Sequence, residues 1–172
     1  MFPREFSKIP LLYLASPFTH KSRKVRRERI KAAAKASALL LKQNIMVLSP
    51  IALDGPWHED YTLPCEWKFW ESFDKNILER CDALLVLTID GWDKSVGIKS
   101  EIEYAYELNM PIFYVTMEQI EIGDLKILND YHELIKACHE YKENVLCCKD
   151  GCKCHREQKP SLFKRVLNSV GF

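Results

Sequence analysis

The sequence predicts an α/β fold with a parallel sheet of four to five strands. Short apolar segments alternate along the chain with longer segments whose apolar residues recur at helical spacing. The short segments are continuously apolar rather than alternating, which is typical of strands buried on both faces of a parallel sheet. This strand–helix alternation implies right-handed crossover connections.

Four segments are predicted to be strands because they are rich in aliphatic, β-branched or aromatic residues and are bounded by turn residues. They are Leu11–Ala15, Ile45–Ser49, Ala83–Thr88 and Ile112–Val115. Apolar residues at helical spacing predict helices over residues 23–43, with Ser22 as the N-cap, and over Cys65–Arg80, Ile98–Leu108 and Ile127–Tyr141.

Two segments are predicted to be irregular. Glu118–Asp124 has no clear periodicity, and Ile51–Pro64 combines Gly, Pro, Trp and His residues. Loops as long as the second are often functional in compact domains. Trp57 and His58 could therefore line a pocket for a planar ligand, although packing against the body of the protein is an equally good interpretation.

Composition restricts the function. A chain of 172 residues is long enough for one domain with a sizeable core. The net charge of +1 argues against binding a polymeric nucleic acid or a membrane surface through bulk charge. There is no membrane-spanning apolar run and no signal-peptide pattern, and seven cysteines cannot all pair internally. We therefore expect a cytoplasmic protein with reduced thiols.

The best candidate ligand site is the segment between the third strand and the helix that follows it. This segment, residues 90–97, lies at the carboxyl end of a strand, where open α/β sheets bind ligands. Glu101 falls in or just after the first helical turn, and the helix dipole should keep it ionised, as a nucleophile requires. The alternative is a carboxylate that only stabilises the dipole.

Two further sets of charged residues are candidates. Asp74 falls on or beside the apolar stripe of its predicted helix. Burying a carboxylate there costs free energy unless it is paired with another group or takes part in catalysis. The alternative interpretation is that Asp74 lies at the edge of the stripe and is partly exposed. The first helix begins with a cluster of arginines and a lysine, at the end where the dipole disfavours cations. Arg23 or Arg26 could bind an anion such as phosphate, although a solvated basic face is the more common outcome.

The end of the chain is rich in cysteine. Residues 146–172 form a tail, with a short helix predicted at Leu162–Val170, after an α/β domain over residues 1–145. A structural zinc site is a weak possibility here, because the ligands are close together but lack paired CxxC spacing. The candidate ligands are Cys147, Cys148, Cys152, Cys154 and His155, with Cys138 and His139 as further possibilities. Free thiols are the favoured interpretation, and no other cofactor is expected.

Several short motifs follow one another along the chain. They are Tyr13-Leu14-Ala15-Ser16-Pro17-Phe18 after the first strand, Asp74, Cys81-Asp82, Ser95-x-Gly97-x-x-x-Glu101 and Tyr104-Ala105. In this order they resemble the nucleoside 2-deoxyribosyltransferase-like superfamily. The DGW-x-x-S-x-G-x-x-x-E run at residues 90–101 is similar to the subgroup DUF1937, a family of uncharacterised bacterial and phage proteins. The resemblance covers residues 11–115 and leaves out the tail.

The resemblance implies a flavodoxin-like (Rossmann-like) three-layer sandwich, a homodimer or higher homo-oligomer, and chemistry at an N-glycosidic bond. Glu101 matches the nucleophile that forms a glycosyl-enzyme, Asp74 an acid that handles protons or positions the substrate, and Tyr13 a tyrosine beside the nucleophile. These three are the expected catalytic residues, and no catalytic metal is expected. The expected substrate-binding residues are Ser16, Pro17, Phe18, Arg23, Asp90, Trp92, Ser95 and Gly97.

Ser95 departs from the residue pattern of the transferases, and this difference affects the expected substrate. The transferases usually have Asp at this position, and Ser resembles the branch of 2′-deoxynucleoside 5′-phosphate N-hydrolases. A serine hydroxyl and the Gly97 amide at a helix N-terminus suit a phosphate. We therefore expect an N-glycosidase that acts on a nucleoside 5′-monophosphate. The alternatives are a base-exchanging nucleoside 2-deoxyribosyltransferase and a non-catalytic nucleotide-binding module.

Overall fold

The computed structural model describes residues 9–131 and residue 133 of the chain. The secondary structure alternates as predicted from the sequence. The elements are β1 (Leu11–Ala15), α1 (Arg23–Lys42), β2 (Met46–Leu48), α2 (Pro50–Tyr61), α3 (Trp67–Leu78), β3 (Ala83–Leu87), α4 (Val96–Glu107), β4 (Ile112–Val115) and α5 (Met117–Ile122). A 3₁₀ turn at Trp92–Lys94 lies between β3 and α4, and residues 126–131 are helical.

The strands of the described region form one parallel sheet in the order β2-β1-β3-β4. Within β1 and β3, Leu12 lies opposite Ala83 and Ala15 opposite Val86. Because all the strands point the same way, the loops that follow β1 and β3 lie side by side at one edge of the sheet. This confirms the predicted flavodoxin-like α/β architecture.

The sheet separates two apolar layers. On one face, alternate residues of β1 and β3 pack with helices α1 and α5; the buried set includes Leu12, Leu14, Leu85, Leu87, Ala36, Leu40 and Ile120. On the other face, the intervening residues pack with α3 and α4; that set includes Tyr13, Ala15, Leu84, Val86, Leu78, Ile98 and Ala105. The side chain of Tyr13 therefore lies under α3 and α4, on the face that carries Asp74 and Glu101.

The prediction of an irregular segment over Ile51–Pro64 is wrong, because α2 covers most of it. Ser49 is the N-cap and accepts a hydrogen bond from the backbone amide of Ala52 at 3.4 Å, and Pro50 occupies the first turn, where a missing N–H costs nothing. Gly55 does not make a turn. An added Cβ there would lie 2.5 Å from Cγ1 of Ile30, so this glycine lets α2 approach α1 closely.

The prediction of a loop at Glu118–Asp124 is also wrong in part. Helix α5 begins after Thr116, whose hydroxyl accepts from the backbone amide of Gln119 at 3.1 Å while the Gln119 side chain accepts from the Thr116 amide at 2.9 Å. This reciprocal pair is a capping box. Gly123, with a φ of 77°, ends the helix.

Some expectations lie outside the described residues. These are the end of the helix predicted at Ile127–Tyr141, the Cys-rich tail with its weak zinc site, and the helix at Leu162–Val170. Within the part of the chain that the structure describes, no helix has the length and apolarity needed to cross a membrane.

Candidate active site

A buried hydrogen bond joins the first strand to the fourth helix. The hydroxyl of Tyr13 donates to Oε1 of Glu101 at 2.6 Å, across 88 residues of sequence. Tyr13 has no exposed surface and Glu101 is 7% exposed. The contact follows from the strand order, because β1 lies next to β3 and α4 packs over this face of the sheet.

Glu101 is not held ionised by the helix dipole as the sequence suggested. It is the sixth residue of α4, beyond the first turn, where the dipole acts. Burial raises the pKa of Glu101 to about 7; the hydrogen bond from Tyr13 lowers it and the charge of Asp54 raises it. Desolvation therefore outweighs the dipole, and the carboxyl group holds or releases its proton near neutral pH.

Asp74 is buried on α3. The alternative interpretation, a partly exposed carboxylate at the edge of the apolar stripe, is therefore wrong. Burial raises the pKa of Asp74 to about 8, with further increases from the charges of Glu101 and Asp54 and a decrease from the Tyr13 hydroxyl. The charge of Glu101 raises the pKa of Asp74, so loss of a proton from Glu101 makes loss of the Asp74 proton less favourable. That arrangement allows one to act as a base or nucleophile while the other acts as an acid.

Asp54 is a third carboxyl group of this cluster and was missed by the sequence analysis. It lies on α2 and is 2% exposed. Burial raises the pKa of Asp54 to about 7, and its charge in turn raises the pKa values of Glu101, Asp74 and Tyr13. The available signal was the Ser49-Pro50 helix start, which places Asp54 inside a helix instead of in a loop.

Three buried polar atoms around this site lack a hydrogen-bond partner among the described residues. They are Oγ of Ser16, Oδ1 of Asp54 and Oδ1 of Asp74. Ser16 directly follows β1, at the carboxyl edge of the sheet. Buried polar groups in native proteins are almost always paired, so three unpaired oxygens indicate a place for a polar ligand.

The predicted phosphate end of the site is the start of α4. Ser95 is the N-cap, and its hydroxyl accepts from the backbone amide of Ile98 at 3.4 Å. Gly97 lies in the first turn, and an added Cβ there would be 3.2 Å from the Trp67 ring, so this glycine allows α3 to pack closely. The hydrogen of the Ser95 hydroxyl remains available for donation to an anion, because that hydroxyl acts only as an acceptor in the cap.

Aromatic packing explains part of the β1–α1 loop. Phe18 is buried against the ring of His58, with 4.5 Å between centroids, and His58 in turn lies 4.7 Å from Trp70. Nδ1 of His58 is 3.2 Å from the carbonyl oxygen of Leu63. Phe18 and His58 thus hold the loop and α2 against α3. Trp57, by contrast, is partly exposed on α2.

The structure does not bring every predicted site residue to the cluster. Pro17 is buried beside Ser16 at the end of β1. Trp92 packs edge-to-face on Tyr114, with 5.6 Å between centroids. Arg23 is exposed and lines an open surface groove with other charged residues of α1, and the side chain of Asp90 is exposed.

Arg29 ties together the loops that follow β1 and β3, and the sequence analysis did not single it out. Its Nη1 donates to the carbonyl oxygens of Thr19 at 2.9 Å and Phe18 at 3.4 Å, and its Nη2 donates to that of Asp90 at 3.0 Å. Gly91 has a φ of 84°, and a Cβ at this position would collide with the Arg29 guanidinium. The planar fork of Arg29 therefore fixes the spacing of the β1–α1 and β3–α4 loops.

No group of three His, Cys, Asp or Glu side chains arranged to hold a metal ion occurs within residues 9–131 and 133. Cys81 in this region is a buried free thiol.

A family model described as "Domain of unknown function (DUF1937)" matches residues 10–117, well over half of the chain. The match includes the whole sheet and every member of the carboxyl cluster. No curated protein matches the chain.

Replacing Arg29 tests the tie between the loops. We expect Arg29→Ala to lower the free energy of unfolding by about 1–3 kcal/mol, because charge-assisted hydrogen bonds to backbone carbonyls are lost. Amide hydrogen exchange should accelerate at residues 18–20 and 90–92, measured by mass spectrometry or NMR. Lys31→Ala, an exposed change on the same helix, should alter neither. Unchanged exchange in both loops of Arg29→Ala would contradict the assignment.

Proposed function

We propose a function from the site itself, because the chain belongs to the DUF1937 family, whose description states none. The protein is an N-glycosidase that cleaves the bond between base and sugar in a nucleoside 5′-monophosphate. The observation that supports this proposal most is the buried hydrogen bond from Tyr13 to Glu101, beside a second buried carboxyl group, Asp74, whose pKa is raised by burial and by the charge of Glu101.

The reaction needs two carboxyl groups in different protonation states. In the first step, the Glu101 carboxylate attacks C1′ of the sugar, the bond from C1′ to the base nitrogen breaks, and protonated Asp74 gives its proton to the departing base. In the second step, Asp74 takes a proton from water, the water oxygen bonds to C1′, and Glu101 leaves as a carboxylate. Tyr13 orients Glu101 through its hydrogen bond.

The electrostatics of the cluster favour a transition state with positive charge on the sugar. Glu101, Asp74 and Asp54 are all buried, and no cationic side chain of the described region forms an ion pair with them. An oxocarbenium-like transition state places positive charge at C1′, next to these groups. The ionised carboxylates of Glu101 and Asp54 stabilise that charge without reorganisation, while Asp74 is still protonated.

The same electrostatics favour a phosphate bound away from the cluster. The carboxylates of Glu101 and Asp54 would repel a phosphate beside them. The N-terminus of α4 carries free amide groups and the Ser95 hydroxyl, which suit an anion. Ser95 and Glu101 are separated along the helix by about 9 Å, at 1.5 Å per residue, so one helix can serve both ends of a nucleotide. Because the cluster is buried, a substrate reaches it only when the surrounding segments separate.

The first test is a screen of nucleoside monophosphates and nucleosides for release of free base. We expect release from monophosphates without an added acceptor base. Glu101→Gln should keep the fold and lower kcat by about 10³-fold or more, because the nucleophile is lost. Glu103→Gln, an exposed change on the same helix, is the matched control and should retain activity.

Near-normal turnover by folded Glu101→Gln protein would rule out the mechanism. Release of base only when a second base is supplied would replace hydrolysis with base exchange. Binding without turnover of any substrate would favour a nucleotide-binding module.

The activity should depend on pH as a bell-shaped curve. The rate rises as Glu101 loses its proton near pH 7 and falls as Asp74 loses its proton near pH 8, so kcat/KM should be highest between these values. The second ionisation of a phosphate, at about pH 6, lies below this window. Measured kcat/KM from about pH 5 to 10 checks the shape, and Asp74→Asn should remove the alkaline limb. A flat profile would contradict the assignment.

Variants of Ser95 separate phosphate binding from helix capping. Ser95→Ala should weaken the use of a monophosphate by about 1–3 kcal/mol, mainly through KM, and should leave an unphosphorylated nucleoside almost unaffected. Ser95→Asp keeps an oxygen that can cap α4, so it should preserve stability. It should nevertheless impair the monophosphate more than Ser95→Ala, through like-charge repulsion. A wild-type preference for nucleosides over monophosphates would refute the phosphate assignment.

A further inference from the structure

Asp54 neither attacks the sugar nor transfers a proton in the reaction described above, yet the fold holds it in place. It is 2% exposed, and its Oδ1 has no partner among the described residues. It cannot turn toward solvent by a shift of α2, because Gly55 packs directly on Ile30 of α1. A backbone hydrogen bond lowers the pKa of Asp54, but burial raises it more, and one oxygen of the carboxyl group still lacks a partner. Burying a polar atom without a partner is costly, so a residue needed only for packing at this position would be apolar.

The chemistry around Asp54 limits what its partner can be. An unpaired carboxylate oxygen accepts hydrogen bonds and repels anions. The hydroxyl proton of Tyr13 is already donated to Glu101. Asp74 must give its proton to the departing base, so neither neighbour can satisfy Asp54 during the reaction. The partner is therefore a hydrogen-bond donor on the substrate.

The position of the nucleophile indicates which hydroxyl group of the substrate donates to Asp54. Glu101 must lie against C1′ of the sugar. Asp54 is buried on α2, which packs on β1, the strand whose Tyr13 holds Glu101. The charge of Asp54 also raises the pKa of Glu101. The hydroxyl group closest to C1′ in a ribonucleotide is the one on C2′. Resting on the proposed function, we infer that Asp54 accepts a hydrogen bond from the 2′-hydroxyl group, so that the substrate is a ribonucleoside rather than a 2′-deoxyribonucleoside 5′-monophosphate.

This contact would assist the reaction as well as select the sugar. As positive charge develops at C1′, the neighbouring 2′-hydroxyl becomes a stronger donor, and its hydrogen bond to a carboxylate strengthens. An interaction that is stronger in the transition state raises kcat. A site built to bind a hydroxyl group also rejects the analogue that lacks it, because its own oxygen is then left unpaired.

The experiment combines variants of Asp54 with deletions on the substrate. The substrates are the ribonucleoside, 2′-deoxy and 3′-deoxy 5′-monophosphates of each common base, and the measurement is kcat/KM for base release. Asp54→Ala should lower kcat/KM by about 10–100-fold on the ribonucleotide and the 3′-deoxy compound, the scale of a hydrogen bond to a charged group. On the 2′-deoxy compound the loss in kcat/KM should be several-fold smaller, because the 2′-hydroxyl partner is already absent and only the charge that Asp54 adds to the cluster is lost.

Two control variants distinguish a lost substrate contact from a general structural effect. Asp54→Asn preserves the shape of the side chain and removes a buried charge, so it should melt no lower than wild type and show the same pattern over the substrates with smaller losses. Asp60→Asn, an exposed change on the same helix, should leave all three substrates unaffected. A purely structural role would lower activity equally on every sugar.

Losses that are equal on all three sugars, or that disappear only with the 3′-deoxy compound, would overturn the inference. So would a wild-type preference for 2′-deoxyribonucleotides. These results differ from failure of the proposed function itself, in which wild-type protein releases no base from any nucleotide.

Discussion

The hydrogen bond between Tyr13 and Glu101 is the contact on which the arrangement of the site depends. It requires that β1 lie beside β3, that Tyr13 face the layer of α3 and α4, and that α4 present its sixth residue to the sheet. A shift of one residue in the register of β1 would turn Tyr13 to the opposite face. The apolar residues that alternate with it, Leu12 and Leu14, pack on the other layer and oppose such a shift.

Burial of the cluster determines its chemistry. In water, the carboxyl groups of Glu101, Asp74 and Asp54 would all be ionised at neutral pH. Inside the protein each one retains its proton to a higher pH, and mutual repulsion makes their ionisation stepwise. Burying these carboxyl groups lowers the stability of the fold. Burial of the surrounding apolar residues, including every residue of β3, offsets that loss. The apolar core thus both stabilises the fold and raises the pKa values of the carboxyl groups in the site.

The sequence predicts the sheet better than it predicts the site. Continuously apolar runs such as Leu11–Ala15 mark buried strands directly, and the four strands were placed to within about two residues, the usual uncertainty of element ends. Helix α2 was missed because Gly55 and Pro56 suggested a loop, whereas the glycine serves close packing on α1. Asp54 was missed for the same reason. The ionisation of Glu101 was misjudged because it depends on desolvation by distant parts of the chain, which spacing along one helix does not reveal.

The two ends of the proposed nucleotide site have opposite electrostatic requirements, and α4 meets both. Its N-terminus, with Ser95 as the cap, offers amide donors to an anion, while its second turn carries Glu101 into a cluster that repels anions. A ligand that fits this gradient has a negative group at one end and a centre that becomes positive at the other. Arg29 keeps the loops on either side at a fixed spacing through three backbone carbonyls, so its own charge is used within the protein. A phosphorylated nucleoside satisfies both ends, and a free nucleoside leaves the helix N-terminus unused.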